Sequence, residues 1–380
     1  MNLYKNDEYT EKEKLTMNNK EMVMSVLNYE SNTKMPIVHF GYWGETVEKW
    51  VNEGHISKEE NWDEIATKLG FDCGYGDVFS GNTNLAPRFE EKLIKELPDG
   101  SQHWLNSEGV IELRKPGATS IPAEIEHILV DRASWEKEYL PRLQFSEDRF
   151  DEAWLKHYAA NHDGPLGLFS GSYYGVIRNW IGVVGLSYLA IDDEDLYDEI
   201  IKTVGELTYK VVKLCFEKAE SMNIKFDYCH LWEDICFNTG PLINPKTFHE
   251  KIGPYYKQIT DLGKQYGINI FSLDCDGCID LLIPTWIENG VNTMFPIEVG
   301  TWGASIAPWR EKYGKELLGV GGMDKRVFAH DKKAVDAEIE RLKPLVDLGG
   351  FIPCPDHRIA PDAIWENVQY YCEKMRETFK

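Results

Sequence analysis

The sequence predicts a single α/β domain of the (β/α)8 class, the TIM barrel, that spans residues 1–380. Three observations predict this fold. Short apolar runs alternate with longer segments of helical periodicity, which is typical of parallel strands connected by helices. Eight such apolar runs are present, the number that the barrel needs. No linker, low-complexity stretch or internal repeat divides the chain.

The predicted strands are separated by segments long enough for helices. They cover residues 35–43, 71–78, 164–172, 224–234, 268–276, 291–298, 317–324 and 349–356. Clear helical patterns lie at residues 193–222 and 331–349, and residues 1–34 are expected to form a helical lead-in. Residues 89–116 break the alternation, because strand-like stretches are joined there by Asp-Gly and Glu-Gly turns. We expect an inserted β-hairpin near the barrel mouth; a hairpin that only decorates the surface is the alternative.

The formal net charge of -22 limits the partners of the protein. Nucleic acids and anionic membranes attract basic surfaces, so neither is an expected partner. The N-terminus is polar without an apolar signal core, and the longest apolar run, from Trp180, is too short and glycine-rich to span a bilayer. The eight cysteines show no disulfide-scaffold spacing. A cytoplasmic protein with reduced thiols is therefore expected.

The stretch "INIFSLDCDGCIDLL", residues 268–282, carries two carboxylates at the end of a predicted strand. In this fold class, functional groups collect at the carboxyl-terminal strand ends. Strand alternation places Asp274 and Asp276 on one side and Cys275 on the other, so we expect Cys275 to pack in the core. Two aspartates facing one cavity favour a divalent cation or a carboxylate pair with separated pKa values. The alternative is a turn closed by Asp276 and Gly277, with Asp274 accepting backbone N–H bonds.

Two other strand ends carry further side chains that can bind a metal. They are Glu233, Cys354 and His357. A zinc ion with an open coordination position needs about three protein ligands, and His357 with the two aspartates would supply them.

Aromatic side chains cluster near the predicted strand ends. They are Tyr42, Trp43, Tyr173, Tyr174, Trp180 and Trp232. Together they predict a lining for a flat, apolar ligand. Each one separately is more typical of core or rim packing.

Five segments follow one another in a recognisable order. They are "MPIVHFGYWGETVEKW", "GPLINPKTFHEKIGPYYKQI", "DCDGCIDLLIPTWIENGVN", "GVGGMDKRVF" and "GGFIPCPDHRIAPDAIWENVQYY". In this order they resemble the uroporphyrinogen decarboxylase superfamily, which includes cobalamin-linked methyltransferases, and they cover nearly the whole chain. The resemblance implies a single (β/α)8 barrel with the active site at its carboxyl-terminal mouth.

The residues after the first predicted strand indicate the branch of the superfamily. Uroporphyrinogen decarboxylase carries an arginine-rich motif there for its carboxylated tetrapyrrole. Here the stretch is "FGYWGETVEKW", and Arg88 is the only arginine in the first hundred residues. The decarboxylase reaction is therefore not expected, and the chain is more similar to the methyltransferase branch, within which the aromatic rim favours the O-demethylase type. A decarboxylase-like lyase, a methylcorrinoid:thiol methyltransferase and a non-catalytic ligand-binding barrel are the alternatives.

The resemblance also implies a ligand set. Thiol-activating members of the branch bind zinc through a His-x-Cys-Gly motif and a later cysteine. Asp274 stands at the motif's His position, Asp276 at its Cys position and His357 at the later Cys position. An oxygen-rich site for zinc or another divalent cation is thus implied, which Glu233 or Cys354 could join. A metal-free mouth that uses the same groups as general acids is the alternative.

The resemblance and the aromatic rim together imply a methyl donor and a partner. We expect a methyl group to move from a small methoxy-aromatic substrate to the cobalamin of a separate corrinoid protein. The leaving phenolate needs a cation, or a proton from Asp274, Asp276 or Glu233. No cobalamin-binding motif of the DxHxxG type occurs in the chain, so the partner would bring the cofactor. A homodimer and either direction of methyl transfer remain open.

Overall fold

The computed structural model describes residues 17–31, 33–117 and 122–379. The strands are β1 (Val38–His39), β2 (Cys73–Gly74), β3 (Lys92–Glu96), β4 (Gln102–Leu105), β5 (Val110–Arg114), β6 (Ala123–His127), β7 (Gly167–Phe169), β8 (Tyr228–Trp232), β9 (Cys236–Phe237), β10 (Gly240–Pro241), β11 (Phe271–Asp274), β12 (Thr293–Ile297), β13 (Leu318–Met323) and β14 (Phe351–Pro355). The α-helices are α1 (Asn19–Leu27), α2 (Gly44–Asn52), α3 (Trp62–Leu69), α4 (Arg132–Ser134), α5 (Glu152–Asn161), α6 (Gly175–Asp192), α7 (Glu194–Ser221), α8 (Pro245–Lys251), α9 (Gly253–Gln265), α10 (Ile283–Glu288), α11 (Val299–Trp302), α12 (Ile306–Tyr313), α13 (Lys332–Val346) and α14 (Trp365–Thr378). A π-helical turn covers Trp135–Tyr139, and 3-10 turns cover Leu140–Leu143, Glu147–Arg149, Gly314–Glu316 and Lys325–Ala329.

A parallel sheet forms the centre of the molecule. Its six strands are hydrogen-bonded in the order β14-β13-β12-β11-β8-β7, and β1 and β2 form a separate parallel pair. Single parallel bridges, Tyr42 to Ile359 and Phe79 to Leu168, lie between this pair and the two edges of the sheet. Each of the eight predicted strands contains one observed strand, so the mixed α/β class with parallel strands is confirmed. The continuous ladder comprises six strands instead of eight.

Strand alternation divides the buried side chains into two clusters. The larger one lies between strands and helices and includes Phe271 and Leu273 of β11. The smaller one, here called the inner cluster, consists of Val38, Cys73, Tyr75, Tyr228, Ile270, Phe295, Leu318, Val320, Ile352 and Cys354 with Val23, Val26 and Leu27 of α1. Because side chains alternate along a strand, Ser272 and Asp274 face the same side as Ile270. Asp274 therefore lies on the inner side of the sheet.

Helix α1 closes the inner cluster from one end. Its N-cap residue Asn18 accepts a hydrogen bond from the Glu21 backbone, and the Glu21 side chain accepts one from the Asn18 N–H group, which completes a capping box. Three apolar side chains of α1 are buried in the inner cluster. Within the segment 1–34, for which a helical lead-in is expected, the structure describes one helix at Asn19–Leu27, and residues 1–16 and 32 lie outside the described residues.

The insertion is larger than the hairpin that the sequence predicts at residues 89–116. The structure has a four-stranded antiparallel sheet in the order β3-β4-β5-β6, here called the inserted sheet. The prediction missed β6 because its sequence, Ala123–His127, has one large apolar residue and mostly exposed side chains. The sheet contacts α6, where the ring nitrogen Nδ1 of His127 lies 3.1 Å from the Trp180 carbonyl oxygen. Because α6 begins just after β7, the inserted sheet lies near the carboxyl-terminal edge of the parallel sheet.

The 28-residue helix α7 is amphipathic, as its sequence predicts. Ile200, Val204, Leu207 and Val211 recur at helical spacing and are buried against the core. The predicted helix at 193–222 is therefore confirmed. Among the described residues, none of the helices is both long and apolar enough to cross a membrane.

Candidate functional site

Five carboxyl groups follow the carboxyl-terminal ends of the parallel strands. Asp234 follows β8, Asp274 ends β11 and Asp276 lies two residues beyond it, Glu298 follows β12 and Asp356 follows β14. They are close enough that the charges of three of them help to raise the pKa of Asp274. The structure thus brings acidic groups from several strands to one edge of the sheet, as expected for parallel strands.

Asp274 is the last residue of β11 and lies in register with Trp232 on the neighbouring β8. Its side chain is half-buried, and among the described residues none donates a hydrogen bond to its carboxyl group. Burial, followed by repulsion from Asp276 and Asp234, raises the pKa of Asp274 well above its usual value. The carboxyl group therefore keeps its proton at pH values where an ordinary aspartate has lost it.

Asp276 is paired with His357. Its Oδ2 atom lies 3.3 Å from Nε2 of His357, while Oδ1 is buried and has no hydrogen-bond partner among the described residues. The His357 ring stacks on Trp43, with 5.4 Å between centroids and 18° between planes, and meets the edge of Phe40, also at 5.4 Å. The aromatic contacts fix the imidazole, and the free Asp276 oxygen is available to a donor on a ligand.

The turn after Asp276 depends on Gly277. This glycine has a φ of +86°, and a Cβ atom there would lie 2.5 Å from the Cys236 carbonyl oxygen. Its N–H group donates to Oε2 of Glu298 at 2.6 Å. The Asp276-Gly277 turn considered as an alternative from the sequence is therefore real, and it places Asp276 beside His357.

Asp356 holds the loops after three strands together. Its two oxygens accept hydrogen bonds from the backbone N–H groups of Gly300, at 2.6 Å, and Lys325, at 3.2 Å. The Nζ atom of Lys325 donates to the Arg358 carbonyl oxygen at 3.0 Å. Burial lowers the pKa of Lys325, and the nearby charge of Asp356 opposes that shift. These residues fix the backbone on both sides of His357.

Glu233 caps a helix, and we reassign it from the catalytic and metal-binding roles predicted above. Its buried carboxyl group accepts hydrogen bonds from the backbone N–H groups of Tyr173 at 2.6 Å, Tyr174 at 3.1 Å and Gly175 at 2.5 Å. The Tyr256 hydroxyl donates to the same group at 2.8 Å. These N–H groups open α6, where a helix has no backbone acceptors of its own. Burial raises the pKa of Glu233 despite these donors. Both oxygens are engaged, so the group has no free position for a ligand.

Most of the predicted aromatic lining lies in the core. Tyr42, Tyr173, Tyr174 and Trp180 are at most 5% exposed. Their rings pack between strands and helices, where Tyr173 meets Tyr256 at 5.2 Å and Trp180 meets Tyr139 at 5.6 Å between centroids. These four side chains offer a ligand almost no surface, so we reassign them to packing.

Two of the predicted aromatic residues do lie at the edge of the sheet. Trp43 and Trp232 are half-buried. Trp43 stacks on His357, and Trp232 lies beside Asp274. They leave one aromatic surface on each side of the acidic groups.

The predicted metal ligands are not arranged as a metal site. Among the described residues, no group of three or more His, Cys, Asp or Glu side chains is placed to hold an ion. The predicted set was Asp274, Asp276, Glu233, Cys354 and His357. Cys354 is fully buried in the inner cluster, where burial raises the pKa of its thiol well above the usual value. Since metals bind the thiolate, this environment disfavours ligation by Cys354. Cys275 is buried on the helix side of β11, as predicted.

Sequence reasoning missed Glu298 and Lys325. Glu298 is the last residue of the predicted strand 291–298, and Lys325 directly follows the predicted strand 317–324. The strand-end rule that singled out Asp274 would have identified both, had it been applied to every strand.

The fold is similar to that of a solved methyltransferase from Methanosarcina mazei. The TM-score is 0.58 at 14% sequence identity, covering 96% of this chain and 99% of that chain. A putative vitamin-B12 independent methionine synthase from Listeria monocytogenes matches at 12% identity over 60% of this chain and 70% of that chain, with a TM-score of 0.35 that carries no argument. No protein-family model matches the sequence, and no curated protein does. At this identity the first similarity concerns the fold alone.

Proposed function

We propose that the protein is a methyltransferase of the O-demethylase type. It moves a methyl group from a small methoxy-aromatic substrate to the cobalamin of a separate corrinoid protein. The observation that carries the proposal is Asp274, a carboxyl group with a raised pKa beside the half-buried indole of Trp232. The fold of the Methanosarcina mazei methyltransferase and the superfamily resemblance support the transferase class.

The proposal includes a (β/α)8 barrel. Its support is that the β1–β2 pair reaches both edges of the six-stranded sheet through the bridges of Tyr42 with Ile359 and of Phe79 with Leu168. The separate inner cluster has the position of a barrel interior, with α1 across its amino-terminal end. The acidic groups would then surround the barrel mouth.

The proton of Asp274 is the chain's chemical contribution to the proposed reaction. An aryl methyl ether is a poor electrophile because its leaving group is a phenolate. The methyl carbon leaves the ether oxygen and takes an electron pair from the reduced corrinoid, while the ether oxygen keeps the bonding pair and takes the proton of Asp274. General acid catalysis of this kind contributes about 10²–10⁴-fold to a rate.

Asp276 and His357 have a supporting role in the proposal. The imidazole is held 3.3 Å from Asp276, and its ring is fixed by Trp43. We propose that this pair returns a proton to Asp274 after each transfer, because Asp276 is the charged group that acts most strongly on Asp274 and it contacts the His357 imidazole.

The test uses the purified protein, a reduced corrinoid protein and a guaiacol-type ether. We expect one phenol to be released for each corrinoid methylated, as measured by chromatography and by corrinoid absorbance. The matched variants are Asp274→Asn and Asp261→Asn, because Asp261 is an exposed aspartate of α9. Asp274→Asn should lose the reaction and Asp261→Asn should keep it.

Two further experiments distinguish the proposed reaction from the alternative substrates, the lyase and a metal-dependent mechanism. Transfer from thiols or methylamines but not from ethers would replace the substrate class, and release of CO2 from a carboxylated substrate would contradict methyl transfer altogether. Added Zn²⁺ forms the other arm, since a metal-dependent rate abolished by His357→Ala would bring Asp276 and His357 in as ligands.

A further inference from the structure

A cavity of about 400 Å³ lies between the inserted sheet and the carboxyl-terminal ends of β7 and β8. Its walls include Asn84, Arg88, Glu108, Phe169, Asn179 and Trp232. This volume lies within the usual range of small-molecule pockets, about 300–1,000 Å³. Sequence reasoning assigned a role to only one of these residues, Trp232.

Trp232 connects this cavity with the acidic groups. Its indole lines the cavity, and its backbone is in register with Asp274 on β11. Phe169 of the adjacent β7 lines the same cavity and is also half-buried. A flat ring that contacts Trp232 and Phe169 would therefore lie next to the strand position that carries the Asp274 carboxyl group.

The cavity lining also includes polar side chains, and Asn179 is one that has no partner among the described residues. Asn179 is a half-buried residue of the first half of α6, and its carboxamide makes no hydrogen bond or ion pair with any residue in the described ranges. A carboxamide presents both a donor and an acceptor, so it can recognise a hydroxyl or an ether oxygen. Glu233 accepts a hydrogen bond from Gly175, the first residue of α6, and so fixes the helix turn that precedes Asn179.

The single cation of the cavity wall is already neutralised. Nη1 of Arg88 lies 3.6 Å from Oε1 of Glu108, and the Asn84 carboxamide donates to the same oxygen at 3.0 Å. Glu108 belongs to the turn between β4 and β5, so the inserted sheet supplies the negative charge. With one charge of each sign, the wall favours an uncharged polar ligand over a carboxylate.

We propose that this cavity binds the ring of the methyl donor, that the ring is an uncharged phenol ether, and that Asn179 and the Arg88–Glu108 pair determine its specificity. The proposal rests on the proposed methyl transfer and names the substrate class of that reaction. It assigns the inserted sheet a function: its Glu108 discriminates against rings that carry a carboxylate.

The test measures ring binding by calorimetry on the full-length protein without any corrinoid protein. The probes are guaiacol and its carboxylated counterpart, vanillate. We expect the wild-type protein to bind guaiacol more tightly, and Asn179→Leu to weaken that binding about 5- to 10-fold through the loss of one hydrogen bond. Asn269→Leu is the matched control, because Asn269 is an exposed asparagine that lines a different cavity, beside α1.

A second pair of variants tests the charge discrimination. Glu108→Gln keeps an acceptor for Asn84 but leaves the Arg88 charge unpaired, so vanillate should bind about 5- to 10-fold more tightly than to the wild type. Arg88→Gln leaves Glu108 as the only charge of the cavity wall, so it should weaken the binding of vanillate relative to the wild type. Guaiacol should respond little to either change.

The outcomes separate this inference from the proposed function. Unchanged guaiacol binding in Asn179→Leu, or unchanged vanillate binding in both charge variants, overturns the cavity assignment even if methyl transfer proceeds. Absence of binding of either ring to the wild type overturns it as well. Ring binding with the expected variant effects but without methyl transfer supports the cavity and overturns the proposed reaction instead.

Discussion

Glu233 and Asp274 lie at the ends of neighbouring strands, both were predicted to be catalytic, and burial raises the pKa of both. They differ in their hydrogen bonds. Glu233 accepts from three backbone N–H groups, whereas no described residue donates to the carboxyl group of Asp274. The difference teaches that burial and a shifted pKa do not by themselves identify a catalytic acid. The hydrogen bonds that a carboxyl group already accepts decide whether its oxygens still have room for a ligand, and on this criterion only Asp274 does.

The strand geometry explains this difference. Asp274 is in register with Trp232, so the two residues share the inner side of the sheet. Glu233 is the next residue after Trp232 and points to the helix side, where the unpaired N–H groups of α6 are located. One position along the chain thus separates a residue available to a ligand from a residue that stabilises a helix.

The largest expected effect is that of Asp274→Asn on methyl transfer. We expect kcat to fall about 10²–10⁴-fold, because the amide cannot supply the proton to the leaving phenolate. The melting temperature should not fall, since the carboxyl group has no donors to lose. Steady-state phenol release and thermal unfolding measure the two quantities. If Asp274→Asn keeps more than half of the wild-type rate, Asp274 is not the proton donor, and the proposed difference between Asp274 and Glu233 is wrong.

Glu233→Ala should act on stability instead. Three buried N–H groups lose their acceptor, and each unsatisfied group costs about 1–3 kcal/mol, so we expect a loss of about 3–5 kcal/mol in the free energy of unfolding. Urea denaturation measures this loss.

Glu233→Gln is the second variant for the same position. It retains one acceptor oxygen, and we expect an intermediate loss with substantial activity in the folded fraction. A fully stable but inactive Glu233→Gln protein would return Glu233 to the catalytic residues.

The positions of the strands could be predicted from the sequence, but the use of each side chain could not. The eight apolar runs identified the strands because burial on both sides of a parallel sheet leaves a continuous hydrophobic signal. The sequence placed Asp276 and His357 at strand ends of one face, as joint metal ligands, and the structure shows the two side chains in direct contact. The saturation of Glu233 was not, because its donors lie about sixty residues earlier and become neighbours only in the fold. For the same reason, core burial of Tyr173 and Trp180 could not be separated from exposure at a mouth.

The pH dependence of the free energy of unfolding tests whether the pKa of Asp274 is raised in the folded protein. Because the pKa of Asp274 is raised in the folded state, that state binds the proton more tightly than the unfolded chain. The protonated carboxyl group of Asp274 stabilises the folded state fully at pH values below about 3.9, the pKa of an aspartate in the unfolded chain. This stabilisation is lost as the pH rises through the pKa of Asp274 in the folded state, and the free energy of unfolding falls by up to about 1.4 kcal/mol per pH unit. Asp274→Asn should remove this slope.

Wild-type, Asp274→Asn and Asp261→Asn proteins should therefore be unfolded with urea at a series of pH values. Glu233 is retained in all three, so its own titration cancels in the differences. Parallel curves for the wild type and Asp274→Asn would show that Asp274 titrates normally, and the role of Asp274 as acid would be lost with it.

The smallest expected effect concerns Asp276→Asn. The pair with His357 is half-exposed, so its contribution to stability should stay below about 1 kcal/mol. If the pair only returns the proton, kcat should fall about 3- to 10-fold with KM unchanged. Asp261→Asn is the control, because Asp261 is an exposed aspartate of α9 that does not belong to the acidic groups at the strand ends. A loss as large as that of Asp274→Asn would mean that Asp276 itself donates the proton, because its free Oδ1 atom already lacks a partner among the described residues.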